Sequence, residues 1–151
     1  MLKLKWAVTC QRALIDQKGA LSLVQVIEGL GIPPPPTDVS VPEGALIPFP
    51  IAIVTYWSRP DRTKPDRGDV RIRSLAPDGK EFNRIEFAVD LEKFTESRSI
   101  TELPGIQYHG PGTYVSVVEV KDAERWRRVG TTEFNLVHPR VAATPSSAAP
   151  H

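Results

Sequence analysis

The 151-residue chain has a single cysteine, Cys10, and only three histidines. One cysteine cannot form an intramolecular disulfide, and it excludes a zinc site built from several thiolates. His109, His138 and His151 are far apart in the sequence and lack the close spacing of a metal motif. We therefore expect no metal or other cofactor, and we expect Cys10 to be a buried, unreactive thiol.

Long apolar runs and an excess of one charge are also missing. No stretch reaches the roughly 18 apolar residues that would span a bilayer, and the first residues lack the apolar core of a signal peptide. Nineteen basic and eighteen acidic side chains leave a formal net charge of +1, so no overall field favours nucleic acid or an anionic membrane. These absences predict a cytoplasmic protein and argue against both of those partners.

Sequence motifs of catalysis are absent as well. The chain contains no Gly-x-Ser-x-Gly elbow, phosphate-binding loop, dinucleotide fingerprint or His-Glu-x-x-His motif. Nothing in the sequence around Cys10 indicates an activated nucleophile. We therefore predict that the protein is not an enzyme.

Alternation of apolar and polar residues is the pattern that the chain does contain, and residues 69–91 show it best. Two alternating runs flank Pro77-Asp78-Gly79-Lys80, which is a turn sequence, so a half-buried hairpin is expected there. Residues 10–19 and 58–68 are more polar and are interpreted as connections. Further strands are predicted at 2–9, 20–28, 51–57, 99–103, 113–121 and 125–137, with an irregular, proline-containing entry at 45–50.

Short strands separated by Gly and Pro turns are typical of all-β folds. We count about eight strands and no long helix, which predicts a single antiparallel β-sandwich, immunoglobulin-like or related, over residues 1–138. Residues 139–151 (PRVAATPSSAAPH) form a low-complexity tail with little to bury, and disorder is expected there.

Several short segments resemble a family of small uncharacterised bacterial proteins. The family pattern has an opening strand that ends near a cysteine, a Gly-Lys-Leu-Ser-Leu-like second strand, a proline-rich link and a late Pro-Gly-x-Tyr strand. The matching segments are 7–10 (AVTC), 18–23 (KGALSL), 103–106 (LPGI) and 110–114 (GPGTY).

This resemblance extends from residue 2 to about residue 137. The chain departs from the pattern at Gln11, where an Asp is usual, and at Gly29, where an aromatic residue often occurs. The resemblance implies an all-β fold and assigns no activity. Residues 111–115 also resemble a strand start of immunoglobulin-like sandwiches, in which Tyr114 would bury its ring and donate its hydroxyl to a backbone carbonyl.

The most distinctive surface feature is the charged connection after Trp57, which contains the sequence Pro-Asp-Arg twice. A long loop on a rigid sheet often carries binding, and its basic residues could hold carboxylate or phosphate groups. A solvated connection whose charges serve solubility is the alternative. Trp126 lies among arginines, so it could stack on a partner or make cation–π contacts inside the protein. The predicted interaction surface comprises Trp57, Arg59, Arg62, Lys64, Arg67, Trp126 and Arg127.

These features together predict a non-catalytic protein-interaction module or assembly component. Its partner would be another protein or a second copy of the chain. A carbohydrate-binding or small-molecule-binding β-sandwich is the alternative, supported by Trp57 and Trp126 as stacking platforms. A hydrolase-type enzyme is the second alternative.

Overall fold

The computed structural model describes residues 1–34, 36, 38 and 40–138, and all regular elements among them are β-strands. An all-β protein is thus confirmed, although eleven strands replace the predicted eight or so, because three of them are too short to show alternation. No helix among these residues has the length and apolar character to cross a membrane. The predicted tail at 139–151 lies outside the described residues. The strands are β1 (Lys3–Ile15), β2 (Leu21–Val26), β3 (Gly29–Gly31), β4 (Leu46–Ile47), β5 (Ile51–Ser58), β6 (Asp66–Leu75), β7 (Glu81–Leu91), β8 (Glu96–Leu103), β9 (Ile106–Gln107), β10 (Gly112–Asp122) and β11 (Arg125–Val137).

Most strands belong to two sheets. The first has the order β2-β1-β5-β8, the second has the order β3-β11-β10-β6-β7, and β4 pairs with β9 alone. Neighbouring strands are antiparallel except for β3, which runs parallel to β11. The chain passes from the first sheet to the second between β2 and β3. There the Ile27 amide donates to the Thr9 carbonyl (2.8 Å), and the Asn135 amide donates to the Glu28 carbonyl (2.9 Å).

The main core lies where side chains of both sheets meet. Ile53 and Trp57 of β5 belong to the same buried cluster as Val118 and other apolar residues of β6, β7 and β10. Each fully buried side chain of this size contributes about 1.5–3 kcal/mol. A second cluster includes the stacked rings of Tyr114 and Phe134, whose centroids are 5.2 Å apart.

Tyr114 packs as the sequence predicted. Its ring is buried, and its hydroxyl donates to the Gly110 carbonyl at 2.7 Å. The same oxygen accepts the amide hydrogen of His109 at 2.8 Å. The hydroxyl therefore satisfies two backbone groups of the turn that precedes β10.

Strand β1 is longer than predicted. The sequence pattern predicted an end at residue 9 and a polar connection over residues 10–19, but β1 continues to Ile15, which pairs with Leu21 of β2. The prediction was wrong because backbone pairing with β2 satisfies the amides whatever the polarity of the side chains. Pairing with β5 stops at Cys10, so residues 11–25 form a separate two-stranded unit, here called the hairpin arm.

The hairpin arm folds back over the outer face of the first sheet. A straight continuation of β1 beyond Cys10 would carry the arm past Ile51, where β5 begins. Instead, the arm tip at Gly19 lies beside Arg98, which pairs with Tyr56 well inside β5. The tip therefore reaches β8, across the strand that separates β1 from β8.

The arm covers an apolar patch of the sheet. Leu21 and Leu23 of the arm pack against a buried cluster that includes Cys10 and Val54. Cys10 is fully buried, as predicted, and burial raises the pKa of its thiol. Gln25 has a φ of +51°, and this left-handed residue lies where the arm returns to the sheet.

Candidate interaction surface

Arg59, the first arginine of the predicted surface, donates hydrogen bonds to backbone carbonyls. Its Nε donates to the Leu91 carbonyl at 2.6 Å, and its Nη2 donates to the Glu92 carbonyl at 2.7 Å. Its Nη1 donates to the Arg62 carbonyl at 3.2 Å. Arg59 thus ties the connection between β5 and β6 to the end of β7, which is a structural role.

The other basic residues of this connection are exposed. Arg62 is 77% exposed, and its Nη2 lies 3.6 Å from the Glu96 Oε1 atom. The Lys64 ammonium lies 3.7 Å from the Asp61 carboxylate, and Arg67 is exposed at the start of β6. Exposed pairs of this kind contribute at most about 1 kcal/mol, so these side chains can rearrange to meet a partner.

Trp57 must be removed from the predicted surface. Its side chain is 0% exposed, and its indole N–H donates to the Thr55 Oγ1 atom at 2.8 Å. Its place beside a charged loop suggested an exposed ring. Alternation along β5, however, puts Trp57 on the same face as Ile53, and that face packs into the core.

Trp126 and Arg127 make contacts within the protein. The Arg71 guanidinium lies 4.3 Å from the centroid of a Trp126 ring, so the internal cation–π alternative describes this tryptophan. The Arg127 Nε lies 2.7 Å from the Asp122 carboxylate in an ion pair, although Arg127 is exposed. The β6–β10 register puts this turn at the same end of the second sheet as Arg67.

A buried ion cluster next to Trp126 was missed at the sequence level. Glu119 is 6% exposed and accepts hydrogen bonds from Arg71 Nε at 2.7 Å and Arg73 Nε at 3.0 Å. Burial acts to raise the pKa of Glu119, but the two arginines outweigh it and hold the pKa below its usual value. Because Glu119 is buried and pairs with both arginines inside the protein, we assign the cluster a structural role.

Exposed apolar side chains gather on the arm side of the molecule. Eight large apolar side chains are exposed among the described residues, and Leu14, Ile15, Val24 and Val26 belong to the arm or lie directly beside it. Phe94, in the connection between β7 and β8, is 68% exposed. Scattered single apolar residues are normal on a surface, but a concentration of them marks an interaction site.

Ile15 and Phe94 line one groove of about 600 Å³ between the arm tip and β8, here called the arm-tip groove. Tyr56, Glu96 and Arg98 also line it. The sequence offered one signal for this site, the isolated Phe94 within a polar stretch. The fold-back of the arm, which brings Ile15 to the groove, had no such signal.

The electrostatics of the arm-tip groove centre on Glu96. The Tyr56 hydroxyl donates to its carboxylate, and the Lys5 ammonium and Arg62 guanidinium lie 3.9 and 3.6 Å from it. The Tyr56 hydrogen bond, together with the two cations, lowers the pKa of Glu96, and the same hydrogen bond raises the pKa of Tyr56. The Arg98 guanidinium lies 5.6 Å from the Tyr56 ring centroid. Arg62 thereby joins the predicted loop to this groove.

A second groove, of about 680 Å³, lies where the arm bends. Arg12 and Val24 form its arm side, and Pro50, Glu102 and Pro104 are among the residues opposite. The two grooves thus flank the arm, one at its tip and one at its base. The arm-tip groove is the one that combines exposed aromatic, aliphatic and arginine side chains.

Within the described part of the chain, no group of three or more His, Cys, Asp or Glu side chains could hold a metal ion. No protein-family model matches the chain, and no curated protein matches it.

Proposed function

We propose that this protein is a non-catalytic protein-interaction module that binds its partner through the arm-tip groove and the adjoining face of the hairpin arm. The observation that carries the proposal is the concentration of exposed apolar side chains there. Ile15 and Phe94 line the same groove, and Leu14 and Val24 are exposed on the opposite, outward face of the arm. Aromatic and arginine side chains such as Tyr56 and Arg98 are typical of the residues that dominate binding energy in interfaces.

We also propose that the fold is an immunoglobulin-like β-sandwich of the uncharacterised bacterial family. Tyr114 supports this assignment, because a tyrosine at the start of a late strand donates to a backbone carbonyl a few residues earlier in such sandwiches. The core shared by two sheets and the chain crossing after β2 are further support. The late position of Tyr114 fits the family pattern, and so does the end of the β1–β5 pairing at Cys10, although β1 itself continues to Ile15.

The carbohydrate-binding or small-molecule alternative rested on two tryptophans. Trp57 is inside the core, and Trp126 packs against Arg71. The side chains that were to stack on a sugar are therefore engaged inside the protein, and we place this alternative second.

Affinity capture from the lysate of the native host tests the proposed surface. The bait is compared with a variant that carries Ile15→Ser and Phe94→Ser, which removes two exposed apolar side chains from the groove. A control variant with Leu46→Ser and Val137→Ser removes exposed apolar side chains elsewhere. We expect one dominant protein that the wild type and the control retain and the groove variant loses. Equal retention by all three baits would contradict the proposed surface.

A further inference from the structure

We propose that the arm-tip groove recognises an acidic peptide segment that inserts one apolar or aromatic side chain, an inference that rests on the proposed function. The groove has an apolar part and a basic part. Ile15 and Phe94 provide the first, and Lys5, Arg62 and Arg98 surround the second.

The apolar part of the groove determines the size of the peptide side chain that can insert. Ile15 is 53% exposed and Phe94 is 68% exposed, although both line one groove of about 600 Å³. Binding sites of this order of size hold a side chain or a small ligand, with apolar walls and a few polar groups that orient it. An apolar side chain from a partner would cover Ile15 and Phe94 at once, whereas these two residues do not cover each other.

The basic part of the groove determines the charge of the peptide residues on either side of the inserted side chain. Glu96 is the single acidic residue that lines the groove, and the Tyr56 hydroxyl already occupies part of its carboxylate. Lys5 and Arg62 share this one carboxylate at 3.9 and 3.6 Å, distances too long for strong hydrogen bonds. Two cations beside one anion leave an excess of positive charge on the Glu96 side of the groove, whereas Asp90 and Glu92 flank Phe94 on its other side. Acidic side chains of a partner would therefore be neutralised on the Glu96 side.

Arg98 adds a further cation to this surface. One of its N–H groups donates to the Gly19 carbonyl at 2.9 Å, whereas a guanidinium has five N–H donors. Its guanidinium carbon lies 5.6 Å from the Tyr56 ring centroid, and this cation–π contact keeps the group beside the groove. A partner carboxylate could therefore pair with Arg98 without breaking its contact to the arm.

The chain as a whole carries a net charge of only +1. Attraction of an acidic segment is therefore a local property of this groove, and exposed ion pairs of this kind weaken as salt screens them. Nucleic acid and anionic membranes also carry negative charge, but neither supplies a flexible apolar side chain between acidic groups. The groove thus favours a peptide.

Selection from a random heptapeptide display library tests this inference. We expect the wild-type protein to enrich peptides with two or more Asp or Glu residues around one Leu, Ile, Phe or Trp. The most enriched peptide is then labelled, and its affinity is measured by fluorescence anisotropy in low and high salt. The Lys5→Glu/Arg62→Glu variant should bind it at least about tenfold more weakly, as should Phe94→Ser.

The matched control is Lys121→Glu/Arg125→Glu, which makes the same charge change on exposed residues of the β10–β11 turn. It should bind within about twofold of wild type. Thermal melts confirm that each variant is folded. The inference is overturned if no acidic–apolar sequence is enriched, if the groove charge reversal leaves affinity unchanged, or if a single-stranded DNA or an anionic vesicle binds as tightly as the selected peptide.

Failure of this inference and failure of the proposed function give different results. If a lysate partner is lost with Ile15→Ser/Phe94→Ser while no acidic peptide binds, the interaction surface stands and its partner has another chemistry. If acidic peptides bind the groove but no captured protein depends on it, the peptide specificity stands and the role of the groove in holding a protein partner fails.

Discussion

Arg98 donates from Nη1 to the carbonyl oxygen of Gly19 at 2.9 Å, and this bond joins the tip of the hairpin arm to β8. The tip is itself an ordered turn. Asp16 Oδ1 accepts from the amides of Lys18 and Ala20, both at 2.8 Å, and Gly19 has a φ of +77° that suits glycine. The bond therefore holds a preformed turn against β8, while Leu21 and Leu23 of the arm cover the patch that contains Cys10.

Replacing Arg98 with alanine should make the arm open more often. An exposed hydrogen bond to a charged donor is worth about 1 kcal/mol, which corresponds to about a fivefold change in an opening equilibrium. Cys10 is the only cysteine and is 0% exposed, so its modification by a thiol reagent under native conditions reports that opening. We expect the modification rate to rise by about that factor.

Arg98→Lys is the matched control, because it keeps a cationic donor at this position. It should leave the Cys10 rate closer to that of wild type. An Arg98→Ala rate equal to wild type would mean that packing of Leu21 and Leu23 alone holds the arm down.

Two arginines of the same connection should differ in their effect on stability. Arg59→Ala removes donors to the carbonyls of Leu91 and Glu92, and we expect the free energy of unfolding to fall by about 2 kcal/mol. Arg67→Ala removes an exposed side chain and should change it by less than about 0.5 kcal/mol. Urea unfolding of both variants checks this, and equal losses would contradict a special structural role for Arg59.

Tyr114→Phe should destabilise the protein while leaving the ring in place. The substitution leaves the Gly110 carbonyl and the His109 amide without the hydroxyl, and unsatisfied buried groups cost about 1–3 kcal/mol. Thermal unfolding should show a correspondingly lower Tm. An unchanged Tm would indicate that both backbone groups find other partners once the hydroxyl is absent.

Glu119→Gln should destabilise the protein at neutral pH, and the difference from wild type should shrink in acid. The substitution removes the carboxylate charge that Arg71 and Arg73 share, although Arg73 keeps its pair with Glu81. Breaking a largely buried ion cluster of this kind costs about 3 kcal/mol. The two arginines outweigh the effect of burial, so the pKa of Glu119 in the folded protein lies below its unfolded value. The stabilisation is therefore present above the unfolded pKa of about 4.3 and is lost as pH falls through the folded pKa.

Urea unfolding of both proteins from pH 7 down to the acid limit of the folded state measures this difference. Comparing the variant with wild type at each pH removes the contribution of other titrating groups. A difference that stays constant through the acid range would contradict the role assigned to the Glu119 charge.

Alternation was a reliable guide wherever one face of a strand packs into the core. Residues 69–91 form the β6–β7 hairpin around Gly79, and Tyr114 packs as predicted. Alternation failed in the hairpin arm, because residues 11–15 pair only with β2 and much of that unit faces solvent. At Trp57 the strand pattern places the side chain on the buried face, but the charged loop that follows led to the prediction that it is exposed.

The amino-acid pattern alone predicts an all-β protein and the position of most strands, since apolar side chains two residues apart must share a buried face. The same pattern predicts that Cys10 is buried and that the loop after Trp57 is charged. Which of those charges face a groove depends on the tertiary structure. Ile15, Phe94 and Arg62 come from three separate connections or strands, and they meet because the arm folds back over the first sheet. No local pattern encodes such a meeting, because it depends on long-range packing between segments that are far apart in the chain.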